Sequence, residues 1–196
     1  LPVFSEHKTR LFETRDEAVK RHMIADVPVG AFLSGGIDSS IIVGLMARHS
    51  SRPVQTYTIG FADMPLFDER SYAREVARFH GTEHREFALN ARDVLDAIPG
   101  VLDSFDEPFA DSSALPTYIV SRETAKSVKV ALSGDGGDEL FAGYRMYAGE
   151  RWSELYTLIP GLVRRRLIEP LAGMLPDSRE TLLTDYARRV KKFVRG

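Results

Sequence analysis

Two short segments rich in glycine, hydroxyls and carboxylates contain the residues best suited to chemistry. The first reads Ser34-Gly35-Gly36-Ile37-Asp38-Ser39-Ser40, and the second reads Ser133-Gly134-Asp135-Gly136-Gly137-Asp138-Glu139. Glycines allow backbone N–H groups to approach a ligand, and a helix N-terminus concentrates unsatisfied N–H donors and positive partial charge. The first segment therefore indicates a site for an anion, with phosphate as the simplest candidate.

The carboxylate of Asp38 restricts what this site could bind. It would repel a polyphosphate unless a cation lay between them, and Mg²⁺ is commonly held by one or two carboxylates together with phosphate oxygens. In the alternative interpretation, Asp38 caps the following helix, where an acid suits the helix dipole. The second segment, taken alone, favours a loop that caps a neighbouring helix, because Gly and Asp are common turn residues. Taken together, the two segments favour Mg²⁺ held by Asp38 and Asp138.

Alternating strands and helices would place both segments at one edge of a sheet. Strands are predicted over 27–33, 54–61, 83–89 and 128–132, and helices over 9–26, 41–49, 68–81, 90–102 and 114–126. This alternation predicts an α/β fold, a parallel sheet with helices on both faces. Ligands of such sheets bind beyond the carboxyl ends of the strands, at the switch point. We predict one domain over 1–150 and its helical extension over 151–196.

Composition excludes several other classes of protein. The chain has 196 residues, 43% of them hydrophobic and 28% charged, with a net charge of −2. This balance does not favour nucleic acid or an anionic membrane as a partner. The absence of cysteine excludes disulfides and a cysteine nucleophile within these residues. No signal-peptide pattern is present, so we expect a cytoplasmic protein. Because the chain starts at Leu1, we expect a fragment of a longer protein.

The first segment lacks both the Gly-Lys-Ser/Thr ending of the mononucleotide loop and the spacing of the dinucleotide fingerprint. It resembles the Ser-Gly-Gly-x-Asp-Ser loop of the ATP pyrophosphatases (PP-loop enzymes, with an adenine nucleotide alpha-hydrolase-like fold). Three blocks in order resemble the glutamine-dependent asparagine synthetases: Ser-Gly-Gly-Ile-Asp-Ser-Ser, Asp-Glu-Pro-Phe-Ala-Asp-Ser-Ser-Ala-Leu-Pro-Thr-Tyr and Leu-Ser-Gly-Asp-Gly-Gly-Asp-Glu-Leu-Phe-Ala-Gly-Tyr. This resemblance extends from about Asp26 to Tyr147.

The resemblance implies a role for each matching residue. The cofactors would be ATP and Mg²⁺, with Asp38 and Asp138 as the metal ligands and Asp135 as an acid needed for forming the acyl-adenylate. Many relatives have Glu in place of Asp135. The nucleotide would be bound by Phe32 or Leu33, Ser34, Gly35, Gly36, Asp38, Ser39, Ser40, Ile59, Ser133 and Gly134.

The resemblance also implies a reaction and its partners. The side-chain carboxylate of aspartate would attack the α-phosphorus of ATP and release pyrophosphate, and ammonia would convert β-aspartyl-AMP into asparagine and AMP. Ammonia would come from glutamine through an N-terminal glutaminase domain that these residues do not contain. Without that domain and the family's later catalytic lysine, the fragment is expected to be inactive alone. A homodimer is left open.

Two other functions remain as alternatives. A related amidotransferase could act on a sugar acid, a peptide or a β-lactam precursor, or the chain could be a non-catalytic ATP-binding module. The loop Asp106-Glu107-Pro108 with Asp111-Ser112-Ser113 is a candidate pocket for the acceptor. The sequence supports equally the interpretation in which Asp111 or Ser112 caps the next helix.

Overall fold

The computed structural model describes residues 2–64, 68–107, 110–178 and 181–195. It divides into two compact units, Leu1–Asp135 and Gly136–Gly196. The strands of the first unit are β1 (Val29–Phe32), β2 (Gln55–Phe61), β3 (Glu83–Leu89) and β4 (Val130–Leu132). Its helices are α1 (Pro2–His22), α2 (Ile37–His49), α3 (Arg70–His80), α4 (Ala91–Leu102) and α5 (Ala114–Thr124).

The four strands form one sheet in the order β3-β2-β1-β4, and every pair of neighbours is parallel. Gly30 of β1 pairs with Gln55 of β2 on one side and with Ala131 of β4 on the other. The chain moves outward from β1 to β2 and β3, and it then returns to the opposite side of β1 to form β4. The switch point of the sheet therefore lies between β1 and β4, where a ligand site is expected.

Helices cover both faces of the sheet. Side chains along each strand point alternately to the two faces, so each face packs against its own set of helices. On one face, Ala31 and Leu33 pack in a buried cluster with residues of α1, α2 and α3. On the other face, Phe32 and Tyr57 pack with Val120 of α5. A third cluster joins β3 to α4 and α5 through Leu89, Ala97 and Ile119, which also contact Ile59. The predicted parallel α/β fold is confirmed.

Local sequence signals set several helix ends. Asn90 forms a capping box with Asp93 at the start of α4: its side chain accepts from the N–H groups of Arg92 and Asp93, and the Asp93 carboxylate accepts from the Asn90 N–H. Gly81 ends α3 in the left-handed region at φ 63°. Both residues stand at ends of the helices predicted over 68–81 and 90–102.

Two helix starts differ from the sequence-based boundaries by four residues or more. Helix α1 begins at Pro2 instead of residue 9, and it ends at His22. Helix α2 begins at Ile37 instead of residue 41, with Gly36 as its N-cap. The apolar periodicity that marks the buried part of α2 starts only at Ile41, because its first turn carries polar side chains. Because α2 begins at Ile37, Asp38, Ser39 and Ser40 are helical.

The second unit is helical and includes the C-terminal helical extension predicted over 151–196. It contains α6 (Gly137–Phe141), α7 (Arg145–Thr157), α8 (Gly161–Val163), a π-helical turn (Arg164–Ile168), α9 (Glu169–Gly173) and α10 (Leu182–Arg195). Lys191 of α10 is buried, and its ammonium group donates to the carbonyl of Leu175 at 3.0 Å and to the carboxylate of Asp177 at 2.6 Å. This contact ties α10 to the segment that follows α9. In the ranges described above, no helix is long and apolar enough to cross a bilayer.

Candidate nucleotide-binding site

The Ser34–Ser40 segment follows β1 directly and forms the first turn of α2. The end of the strand is anchored by burial, since Ala31 is 0% and Leu33 1% exposed. The Leu33 N–H also donates to the carbonyl of Tyr57 at 2.8 Å. The N-cap residue is Gly36, which has no side chain to accept hydrogen bonds from the first-turn N–H groups. An anion bound in front of α2 would therefore meet these donors without displacing a capping side chain.

The serine hydroxyls of this segment hydrogen-bond within it. The N–H of Gly36 donates to Ser34 Oγ at 3.2 Å, and Ser39 Oγ donates to the carbonyl of Gly36 at 3.2 Å. Ser34 Oγ and Ser39 Oγ are 3.0 Å apart. Because the single hydrogen of Ser39 is used on the Gly36 carbonyl, Ser34 is the donor in that contact. Ser40 Oγ donates to the same carbonyl at 2.6 Å. These bonds hold the turn in one conformation.

Gly35 is required by both conformation and space. Its φ of +85° lies in the left-handed region, which L side chains rarely adopt. A Cβ added there would lie 2.5 Å from Tyr72 Cβ and 2.6 Å from the backbone nitrogen of Ala73. The first turn of α3 is therefore packed directly against the backbone of the Ser34–Ser40 segment.

The end of β4 lies against the same segment. A Cβ added at Gly134 would be 2.6 Å from the nitrogen of Ser39 and 2.9 Å from the carbonyl carbon of Asp38. No side chain larger than hydrogen fits between the two backbones. The structure thus brings Ser133 and Gly134 together with Ser34–Ser40 at the switch point of the sheet.

Asp135 lies immediately after this contact and is exposed. Its Oδ2 accepts a hydrogen bond from Ser133 Oγ at 2.8 Å, and its N–H donates to the same hydroxyl at 3.4 Å. This local turn holds the carboxylate near the end of β4 and leaves it accessible to a ligand. Both the turn role and the predicted role in adenylation are compatible with this geometry.

Asp38 is half-buried in the first turn of α2, two residues after the N-cap. Asp38 is therefore not the N-cap residue, because Gly36 occupies that position, but as an acid in the first turn of α2 it still suits the helix dipole. Within the part of the chain that the structure describes, the carboxylate of Asp38 has no hydrogen-bond or ion-pair partner. A free carboxylate at a helix start that could bind phosphate would suit Mg²⁺, which takes few protein carboxylates and completes its shell with phosphate oxygens and water.

Three of the predicted nucleotide-binding residues, Phe32, Leu33 and Ile59, do not share one face of the sheet. Phe32 and Ile59 are partly buried in the cluster around Tyr57. Leu33 points to the opposite face and is 1% exposed, in contact with α2 and α3. The side chain of Leu33 is therefore buried in the core and is not exposed to a ligand.

Asp138 belongs to the second unit, where it lies in the first turn of α6. Its carbonyl accepts from the N–H of Gly143 at 3.0 Å, and a Cβ at Gly143 would collide with its carboxylate. Beside it, the hydroxyl of Tyr144 donates to the carboxylate of Glu139. This hydrogen bond raises the pKa of Tyr144 to about 12 and lowers the pKa of Glu139, so the phenol stays protonated.

No group of three or more His, Cys, Asp or Glu side chains in the described ranges could hold a metal ion. The prediction from the sequence needs only two carboxylates with phosphate oxygens, so it does not depend on such a group.

The candidate acceptor loop is described only in part, because Pro108 lies outside the described residues. Helix α5 is capped at Ser113, and neither Asp111 nor Ser112 is its N-cap. The interpretation that one of them caps the helix is therefore wrong in position. Asp111 still supports the helix start, since its Oδ1 accepts from the Ser113 N–H at 2.8 Å. This contact lowers the pKa of the Asp111 carboxyl.

Sequence reasoning missed one ion pair near the site. Asp68 and Arg70 form a bidentate pair at the start of α3, with Arg70 Nε 2.8 Å from Asp68 Oδ1. The only sequence signal was an acid and an arginine two residues apart ahead of a helical pattern. That spacing does not bring two side chains together on a regular helix, so it predicted no contact.

A parallel sheet with a glycine- and serine-rich turn at its switch point is the arrangement of α/β domains that bind nucleotides. The chain belongs to the asparagine synthase family, because the model of that family matches residues 11–195.

Individual relatives agree with this assignment. Asparagine synthetase [glutamine-hydrolyzing] 1 of Bacillus subtilis is 37% identical over 179 residues, which cover 90% of this chain and 28% of that protein. A putative asparagine synthetase of Methanocaldococcus jannaschii is 41% identical over 149 residues, or 76% of this chain and 28% of that protein. The chain thus spans roughly a quarter of the length of the curated relatives that it matches.

A solved structure also resembles the chain. It is an NH3-dependent NAD synthetase from Campylobacter jejuni, with a TM-score of 0.47, 13% identity and 96% coverage of both chains. This likeness is too distant to bear on function.

Proposed function

We propose that this chain is the synthetase part of a glutamine-hydrolysing asparagine synthetase. It would adenylate the side-chain carboxylate of aspartate with ATP and then transfer ammonia to the activated carbonyl. The observation that supports this most strongly is the approach of Gly134 to the first turn of α2 in a chain of the asparagine synthase family. A nucleotide bound at α2 would lie against the end of β4, beside Asp135.

The proposed reaction has two steps. A carboxylate oxygen of aspartate attacks the α-phosphorus, and the bond to the bridging oxygen breaks as pyrophosphate leaves with the electron pair. Ammonia then attacks the acyl carbon, loses a proton, and AMP leaves. The N–H groups at the start of α2 would bind the phosphates, and the serine hydroxyls would keep that turn in place. Catalysis would come from positioning and charge stabilisation.

We propose Asp38 as a ligand of Mg²⁺, and Asp138 stays a predicted ligand on the basis of the sequence. Bound there, Mg²⁺ would neutralise charge on the leaving pyrophosphate. Asp135 is proposed to act in formation of the adenylate. Glutamine as the ammonia source through a glutaminase domain, a homodimer and a cytoplasmic location also stay predictions from the sequence.

The proposal is tested on the complete protein by pyrophosphate exchange into ATP, with a panel of carboxylates that includes aspartate, sugar acids and peptides. We expect exchange only with aspartate, and asparagine and AMP once ammonium is added. Exchange that depends on another carboxylate would support the related amidotransferase. ATP binding without exchange for any carboxylate would support the non-catalytic module.

A further inference from the structure

Asp68 and Arg70 form a bidentate ion pair at the start of α3. Arg70 Nε donates to Asp68 Oδ1 at 2.8 Å and its terminal nitrogen donates to Oδ2 at 2.5 Å, while the Arg70 N–H donates to Oδ1 at 3.2 Å. Both side chains are mostly buried, at 22% and 23% exposure. Their contact lowers the pKa of Asp68 and raises that of Arg70, so both stay charged.

The pair lies directly on the backbone at the end of β2. A Cβ added at Gly60 would collide with the Asp68 carboxylate and would lie 2.5 Å from Arg70 Nε. Any side chain at position 60 would therefore overlap the ion pair, which packs directly against the Gly60 backbone. The planar guanidinium, bound through two nitrogens, permits one geometry, so it holds the start of α3 against the sheet.

The start of α3 is also what contacts Gly35. Tyr72 and Ala73, in the first turn of α3, leave no room for a Cβ at Gly35. Closely packed backbones transmit small displacements, because there is no void to absorb them. A shift in the first turn of α3 would move Gly35 and with it the N–H donors of the Ser34–Ser40 segment.

A second bidentate pair on α3 provides a comparison. Arg74 donates to Glu86 of β3 at 2.8 and 2.7 Å. It has the same chemistry and lies four residues further along the same helix, but it joins α3 to β3 and not to the end of β2 at Gly60. Loss of Arg74 should loosen the helix without moving the Ser34–Ser40 segment.

We propose that Asp68 and Arg70 are positioning residues for the phosphate-binding turn: the pair sets the first turn of α3, and that turn sets Gly35. The inference rests on the proposed binding of ATP to this turn. It predicts that Asp68 matters as much as Arg70. A direct contact between Arg70 and phosphate would not predict this, because a carboxylate repels phosphate.

The test uses the complete protein with Asp68→Asn, Arg70→Gln, Arg70→Lys, the double variant D68N/R70Q and the control Arg74→Gln. ATP affinity is measured by calorimetry, the KM values for ATP and aspartate by pyrophosphate exchange, and stability by urea unfolding. We expect each single change to weaken ATP binding by about tenfold or more, as misplacement of a binding group does. Arg70→Lys should not rescue binding, and the KM for aspartate should change less than twofold.

The double variant should bind ATP no more weakly than either single variant, because both remove the same contact. Arg74→Gln should lower stability as much as Arg70→Gln while leaving ATP affinity unchanged. The inference is overturned if Asp68→Asn binds ATP as well as Arg74→Gln does, or if the two single effects add. If the unsubstituted protein binds ATP but performs no exchange, only the proposed reaction fails and calorimetry still decides the inference. If it does not bind ATP, both fail.

Discussion

Gly134 shows how a single residue can join two distant motifs. Its hydrogen faces the backbone of Ser39 and Asp38 at distances where a methyl group does not fit. The neighbouring atoms belong to the first turn of α2, so they cannot yield without moving the proposed phosphate donors. The glycine at the end of β4 is therefore required by packing, and its φ does not lie in the left-handed region.

Gly134→Ala should weaken ATP binding by about tenfold or more, because the added methyl group displaces the turn at α2. The strain should also lower the free energy of unfolding by roughly 1–3 kcal/mol. Calorimetric ATP titration and urea unfolding measure the two effects. Gly149→Ala is the matched control, since a Cβ at Gly149 in α7 meets no atom within 4 Å. Equal ATP affinity in the two variants would contradict this account of Gly134.

Asp38→Asn should raise the Mg²⁺ concentration needed for half-maximal pyrophosphate exchange and lower kcat/KM by roughly 10²-fold, the size of effect seen for one electrostatic contact in a transition state. The amide keeps the shape of the side chain but removes the charge that binds the cation. Asp96→Asn on the exposed face of α4 is the control, because Asp96 is exposed and makes a loose pair with Arg92 at 3.8 Å. An unchanged Mg²⁺ dependence in Asp38→Asn would exclude it as a metal ligand.

Among the helices, α2 and α4 begin in opposite ways. Helix α4 starts with a complete capping box at Asn90, in which side chains satisfy the first N–H groups. Helix α2 starts at Gly36, which provides no side-chain acceptor. A helix start without a capping side chain has backbone donors to offer to a ligand. Helices α3, α5 and α7 also begin without a side-chain cap, so this feature alone does not distinguish α2. The start of α2 differs in that Gly134 approaches its first turn and Gly35 precedes it in the left-handed region.

Asn90→Ala should lower the free energy of unfolding by about 1 kcal/mol, because two N–H groups lose their acceptor. ATP affinity should not change, since α4 packs on the face of the sheet opposite to α2 and α3. Urea unfolding and ATP titration test this, with Asn90→Asp expected to retain most of the stability. A loss of ATP affinity in Asn90→Ala would show that the two faces of the sheet are coupled.

Lowering the pH should reduce the stability of the sheet in the first unit in two stages. Burial lowers the pKa of His84, whose Nδ1 is 2.9 Å from Thr56 Oγ1; Glu86 opposes this shift and Arg74 adds to it. The unfolded chain therefore takes up a proton at about pH 6.5, before folded His84 does. The stability that comes from keeping His84 neutral is complete above about pH 6.5 and is lost as the pH falls below that value. Contacts with Arg70 and Arg74 lower the pKa of Asp68 and Glu86, so their contribution is lost below about pH 4.5.

Hydrogen-exchange protection of β2 and β3 should decrease between pH 7 and pH 5.5 in the unsubstituted protein. His84→Gln should remove most of this decrease, because the side chain no longer takes up a proton. His7→Gln, on the exposed face of α1, should leave it intact. A decrease of the same size in His84→Gln would assign the effect to another group.

The sequence by itself determined the four strands, the helices that alternate with them and the two glycine-rich turns. These features follow from local rules: apolar runs with a period of two or 3.6 residues, and glycine, proline or asparagine at the ends of elements. Because parallel strands end at one edge, the sequence also indicated that Ser34–Ser40 and Ser133–Gly134 would be neighbours.

Tertiary packing alone decided the sheet order β3-β2-β1-β4, which helices cover Leu33, and the contacts of α3 with Gly35. Packing also brought Asp68 and Arg70 together over Gly60. These features join residues far apart in the chain, or depend on the angle at which a helix leaves a strand. Neither periodicity nor turn signals carry that information, because both are properties of a single element.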